Sequence, residues 1–220
     1  MERRIETKAD LAHHIDALVA LEPRFGPVAD GVGEVPLRRL PGGLSGLLRI
    51  VMGQQLSVHA AAAVWTRLEA AAGGAVTAAG LDALDDDALR TAGLSRQKVR
   101  TLRAVVASGV ESTLAAAPRD AALREALIAV PGIGPWTADL YLLVCTGAPD
   151  VFPAGDLALR KGAAVAFALE GDPGVPALEA MAAQWSPHRA AAARLLWAYY
   201  RQMRPPKTPS PDFVDDRAPV

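Results

Sequence analysis

No stretch of this chain alternates apolar and polar residues for long enough to make a half-buried strand, so helix is the regular element its pattern specifies. Residue usage agrees. Of 220 residues, 45 are alanine, the strongest intrinsic helix former, while β-branched and aromatic side chains are sparse. An all-α fold is expected, cut into helices by glycine, proline and small capping residues. The first helix is predicted at 7–20, with Ile15, Leu18 and Val19 on its apolar side. A Pro/Gly-rich segment at 23–43 reads as a long connection, followed by a strongly apolar, buried helix at 44–54. Ser57 caps a helix running to about Ala72, and Ser95 caps another at 96–108. Short helices fit 78–84 and 86–92, and longer ones 120–129, 135–145, 156–170 and 176–185. Ser186-Pro187 reads as a cap followed by a first-turn proline, opening a last helix that reaches Met203.

Several functional classes fall away on composition. A hydrophobic fraction of 51% supplies a core for one large domain or two small ones. With 23 basic and 24 acidic residues the net charge is -1, which excludes an overall basic coat but not a local basic face. Cys145 is the only cysteine, so an internal disulfide, a cysteine-ligated zinc and an iron–sulfur cluster are all excluded. Apolar runs are broken before the roughly 18 residues a membrane span requires. The N-terminus, Met1-Glu2-Arg3-Arg4, leads into charge rather than an apolar signal region. A cytoplasmic, monomeric protein with no membrane partner is expected.

The most informative segment is 127–138, Leu-Ile-Ala-Val-Pro-Gly-Ile-Gly-Pro-Trp-Thr-Ala. It reads as a helix, a hairpin bracketed by Gly132 and Gly134, and a second helix opened by Pro135. Glycines allow close approach of backbone to ligand, and the unpaired N–H groups of a helix start suit a phosphate. An ordinary turn between two helices accounts for the same residues.

The segment resembles the helix-hairpin-helix of DNA base-excision glycosylases, and the resemblance extends over about 44–203. Asp150-Val151-Phe152-Pro153-Ala154-Gly155-Asp156, with Asp156 20 residues after Trp136, is similar to the family's catalytic-aspartate loop. Gln54-Gln55-Leu56-Ser57 resembles its Gln-Gln-x-Ser segment, and Trp185-Ser186-Pro187-His188-Arg189 followed by Trp197 its Trp-x-Pro-x-Arg pattern. Four motifs in the family's order point to the DNA-3-methyladenine glycosylase II branch, the AlkA/Mag type. Members often carry an extra N-terminal α/β domain. About 43 residues precede the common core here, so a compact form is expected.

The resemblance implies two helical subdomains with a cleft between them: a bundle at 44–147, and 1–43 plus 148–207 as the second, with 208–220 as a tail. It implies Asp156 as the catalytic carboxylate, although aspartate is also a preferred helix cap. Trp136, Trp197 and Leu140 would line the base pocket; core packing is the other reading of the tryptophans. Leu140 stands one turn after Trp136, where the family has an aromatic residue. Gln54, Gln55, Leu56, Gly132, Gly134 and Thr137 would contact DNA. Gln55 would fill the gap left by the extruded nucleotide, with Leu56 as the neighbouring candidate and a solvated helix end as the plain alternative. The backbone carbonyls of Ile128, Val130 and Ile133 would hold a structural monovalent cation, sodium or potassium. No cofactor is implied for catalysis.

Arg90, Arg96, Lys98, Arg100 and Arg103 lie in a stretch without acidic residues, which suits either phosphate contacts or a solvated helix face. The expected partner is damaged double-stranded DNA. The implied activity is monofunctional excision of alkylated bases, of the 3-methyladenine and 7-methylguanine type, because a tryptophan stands where the strand-nicking members have a Schiff-base lysine. Glycosylases for deaminated bases such as hypoxanthine, and a non-catalytic helix-hairpin-helix DNA-binding module, are the competing readings.

Overall fold

The computed structural model describes residues 3–116 and 119–203, and the tail at 208–220 lies outside them. In chain order the helices are α1 (Lys8–Leu21), α2 (Gly26–Val32), α3 (Gly43–Gly53), α4 (Val58–Ala71), α5 (Ala78–Asp82), α6 (Asp86–Thr91) and α7 (Arg96–Ala107). There follow α8 (Val110–Ala116), α9 (Asp120–Ile128), α10 (Pro135–Tyr141), α11 (Leu157–Ala166), α12 (Gly174–Ala183) and α13 (Arg189–Met203). Among the described residues there is no strand. The fold is all-helical.

Local chemistry explains most of the boundaries. The hydroxyls of Ser57 and Ser95 accept the N–H groups of Ala60 and Lys98, at 3.2 and 3.3 Å, and start α4 and α7. Thr7 and Asp10 form a reciprocal capping box at the start of α1. The connection expected at 23–43 is partly helical: a 3-10 turn, Pro23–Phe25, leads into α2. Val28 and Val32, four apart, are buried there, and this short seam outweighs the glycines around it. The helix expected at 135–145 is α-helical only to Tyr141 and continues as a π-helical turn, Leu142–Thr146. α11 stops at Ala166, short of the end expected near 170.

Ser186-Pro187 does not open the last helix, which begins at Arg189. The Ser186 hydroxyl instead donates to Asp150 Oδ2 at 2.9 Å. Its O–H serves a distant carboxylate, and the helix starts beyond it.

Two compact units result, changing over at Arg39/Leu40 and Tyr141/Leu142, a few residues from the limits expected at 43/44 and 147/148. In the unit from 40 to 141, α3 is the central rod, packing on α4, α7, α8 and α10. Leu47, Leu48 and Ile50 are fully buried, as befits a helix apolar on nearly every side. Each such side chain contributes about 1.5–3 kcal/mol by burial.

In the other unit α13 packs on α1, α2 and α11. Ala190, Ala191, Ala192 and Ala193 are completely buried, and their small side chains let the neighbouring helices close in. Phe25, Phe152 and Phe167 surround the fully buried Trp185, with ring centroids 5.1–5.7 Å from it. Carbonyls of the π-helical turn are taken up by arginines: Arg4 on Thr146, Arg39 on Cys145 and Arg194 on Leu143. Cations are favourable at that negative end of a helix.

Candidate active site

Within the unit from 40 to 141, the hairpin joins α9 to α10. The Ile133 N–H donates to the Val130 carbonyl at 3.0 Å, closing a turn whose third residue, Gly132, has φ +92°. Proline second and glycine third is the residue choice for a turn of this kind. The two glycines do different work. A Cβ on Gly132 would lie 2.3 Å from Oγ1 of buried Thr101, so this glycine lets the hairpin press against α7. A Cβ on Gly134 would meet nothing within 4 Å, so the open approach to backbone belongs to Gly134. The first bond inside α10 runs from the Ala138 N–H to the Gly134 carbonyl, at 3.1 Å.

The turn between α3 and α4 is tied to this hairpin. Gln54 Nε2 donates to the hydroxyl of buried Thr137 at 3.0 Å, joining the Gln-Gln-x-Ser segment to α10. Lys98 on α7 donates to the carbonyls of Met52 and Gln54, at 2.5 and 2.8 Å. Burial lowers its pKa below the usual lysine value. Leu56 N–H donates to the Gly53 carbonyl at 3.1 Å, and Gln55 is held at φ +59° with its side chain exposed. That is the left-handed region, which costs an L-residue about 1–2 kcal/mol. The strain is kept where a side chain is thrust outward, a pattern typical of functional turns.

In the other unit, Asp156 is the N-cap of α11. Its Oδ1 accepts the backbone N–H groups of Ala158 and Leu159, at 2.9 and 3.0 Å, and the indole N–H of Trp197 at 3.1 Å. Three donors on one oxygen fix the carboxylate. Trp197 reaches it because α11 and α13 meet at Gly162, where a Cβ would stand 2.9 Å from the Leu196 carbonyl. The loop before Asp156 is anchored by Asp150, which takes the Arg189 guanidinium at 2.6 and 3.0 Å as well as the Ser186 hydroxyl. Burial acts to raise the Asp150 pKa, but the bonds from Arg189 and Ser186 outweigh it and hold the carboxyl below the usual range.

Residues 48–188 match the HhH-GPD superfamily of base excision DNA repair proteins. The chain belongs to this family. It is 32% identical to the probable bifunctional transcriptional activator/DNA repair enzyme AlkA of Mycobacterium tuberculosis, an alignment covering 89% of this chain and 41% of that protein. It therefore spans less than half the length of that relative. A DNA-3-methyladenine glycosidase from Bacillus halodurans superposes with a TM-score of 0.76 at 28% identity, covering 96% of this chain and 98% of the other. The Schizosaccharomyces pombe 3-methyladenine DNA glycosylase Mag1, in complex with abasic DNA, gives 0.75 at 26% identity, over 84% and 95%.

Set out on this family's fold, the residues singled out in the sequence fall into two groups. Gln54, Gln55, Leu56, Thr137 and the hairpin with Ile128, Val130, Ile133, Gly132 and Gly134 belong to one unit, and Asp156 and Trp197 to the other. On α10 Trp136 is half-buried, and Leu140, one turn later, is buried. His188 hydrogen-bonds through Nδ1 to Nδ1 of buried His14, at 2.9 Å.

The basic stretch is mostly spoken for. Besides Lys98, Arg103 binds Asp86 and the Leu81 and Leu84 carbonyls, Arg90 faces Asp87, and Arg100 bonds Gln97. A run of like charge in sequence does not show which members will cap neighbouring helices. The anchoring pair Asp150–Arg189 is likewise invisible as a pair in the sequence, where its members stand 39 residues apart in separate motifs.

Proposed function

We propose that the protein is a monofunctional DNA glycosylase that flips alkylated bases, of the 3-methyladenine and 7-methylguanine type, out of duplex DNA and hydrolyses the N-glycosidic bond. Family membership supports the reaction class. The observation that carries the reading is the carboxylate of Asp156, fixed by three N–H donors on one oxygen. As the base departs the sugar gains oxocarbenium character, and a carboxylate held rigidly in place stabilises that cation or orients the attacking water. An alkylated purine already carries positive charge and leaves readily, so no strong general acid is required.

The indole faces of Trp136 and Trp197 attract such a cationic base, by about 0.5–2 kcal/mol per contact. Leu140, beside Trp136, offers no aromatic face and leaves room for other lesions. Trp136 forms no imine, so the strand stays intact until the abasic site is treated with alkali. Gly134 and the backbone N–H of Thr137 receive a DNA phosphate, with Gly132 setting the hairpin against α7. Gln55, offered outward by its strained turn, fills the space of the flipped nucleotide, with Gln54 and Leu56 on either side. The Val130 carbonyl keeps a second lone pair beside its turn bond and, with Ile128 and Ile133, suits a sodium or potassium ion that would stiffen the hairpin. The chain acts as a monomer on damaged double-stranded DNA.

The test is base release from methylated duplex by wild type and by Asp156→Asn, followed by alkali. Release by wild type, at least a hundredfold slower release by the variant, and strand breaks only after alkali are expected. Breaks without alkali would overturn the monofunctional assignment. Duplex binding with no release would point to a hypoxanthine-type lesion, if that base is released instead, or to a binding module.

A further inference from the structure

Trp197 stands on α13, 41 positions away in sequence from Asp156, yet its indole N–H reaches Asp156 Oδ1 at 3.1 Å. The two backbone N–H donors on that oxygen come from the first turn of α11 and would be there for any aspartate cap. The indole is different: it comes from another helix, and it is supplied by a side chain. A cap bonded only to its own helix start can still tilt about the side-chain torsions. A donor from outside the helix works against that freedom.

The approach that delivers the donor is built into the packing. Gly162 permits α11 to lie against the carbonyl of Leu196, the residue before Trp197, with no space for a methyl group. Trp197 itself is only half-buried, whereas Trp185 nearby in sequence is completely enclosed among phenylalanines. Bulk alone does not account for a tryptophan at 197. A phenylalanine would fill similar space, and what it lacks is the N–H.

We infer that Trp197 is a positioning residue for the glycosidic-bond step: its indole N–H holds the Asp156 carboxylate in the orientation that meets the developing sugar cation. This rests on the glycosylase reading above, and it is separate from any stacking of the indole face on the base. A hydrogen bond to a charged group that aligns a catalytic oxygen corresponds to a rate effect of about ten- to hundredfold.

The experiment compares wild type with Trp197→Phe, which keeps an aromatic face and removes the donor. Single-turnover base release is measured on duplexes carrying cationic 7-methylguanine and, separately, neutral hypoxanthine if wild type releases it. Affinity for an abasic-site duplex and the thermal unfolding midpoint are measured alongside. The expected result is release slowed at least tenfold, on every base that wild type removes, with abasic-duplex affinity within twofold of wild type and the fold intact. Release within twofold of wild type would overturn the positioning role and leave the glycosylase reading standing. So would a loss confined to the cationic base when wild type also removes the neutral one, the signature of stacking, or a slowing matched by an equal loss of affinity and a lowered midpoint. A wild-type protein that releases no base would overturn both.

Discussion

Replacing Gln55 with glycine should make the protein more stable and a worse enzyme. Gln55 sits at φ +59°, where an L-side chain costs about 1–2 kcal/mol and glycine nothing. Glycine in turn gives up about 0.5–1 kcal/mol through its greater freedom in the unfolded chain. The side chain is exposed, so its loss removes no core packing. The balance favours Gln55→Gly by up to about 1.5 kcal/mol, a rise in midpoint of up to roughly 6 °C for a chain of this size. Against this, the variant has nothing to fill the stack when a base is extruded, an unstacking that costs a few kcal/mol. Losing even about 1.4 kcal/mol of compensation slows base release tenfold. Thermal unfolding and single-turnover release on the same preparations check both halves. A lowered midpoint would refute the strain argument. Unchanged release would refute the gap-filling role, and a tenfold loss in Leu56→Ala instead would transfer it to Leu56.

Two further outcomes follow from the packing and the charges. Gly162→Ala should destabilise despite alanine's advantage of about 1 kcal/mol in a helix, because its methyl group would meet the Leu196 carbonyl at 2.9 Å and overpacking costs about 1–3 kcal/mol; a midpoint at or above wild type would refute it, and base release should fall with it as Trp197 shifts. Asp10 is held at about 2, below the ordinary 3.8, chiefly by the Thr7 hydroxyl, with the Thr7 and Glu6 N–H groups and Arg3 assisting. Its folded-state pKa is depressed, so the stability it contributes is present above about pH 4 and is lost as pH falls towards 2. Wild type and Asp10→Asn should therefore differ most in midpoint near neutral pH and converge in acid; a gap that stays constant down to pH 2 would refute the capping-box account.

Much of the fold was legible in sequence because its signals are local. Ser57, Ser95 and Thr7 sit beside the N–H groups they cap, and an apolar run such as α3 leaves only the narrow side of Ser45 and Arg49 for solvent. The hairpin was legible for the same reason: Pro131, Gly132, Gly134 and Pro135 dictate backbone torsions at their own positions. Local signals also misled. The glycines and prolines of 23–43 mask α2, whose sequence mark is two valines four apart, and Ser186-Pro187 has the form of a helix start although the Ser186 hydroxyl bonds Asp150.

The sequence by itself therefore determined the helical class, most helix ends, the hairpin, and Asp156 as a cap whose side chain carries a charge. Tertiary structure alone decided what holds that charge in place. The Trp197 donor arrives because two helices close in on Gly162, and the Gln55 turn is fixed by Lys98 and by the Gln54–Thr137 bond. It decided, too, that Lys98 and Arg103 serve carbonyls inside their own unit. Backbone torsion and capping act over a few residues and leave their mark in the string of letters. A hydrogen bond between side chains 41 or 83 positions apart exists only once packing has brought the helices together, and no local pattern encodes that distance.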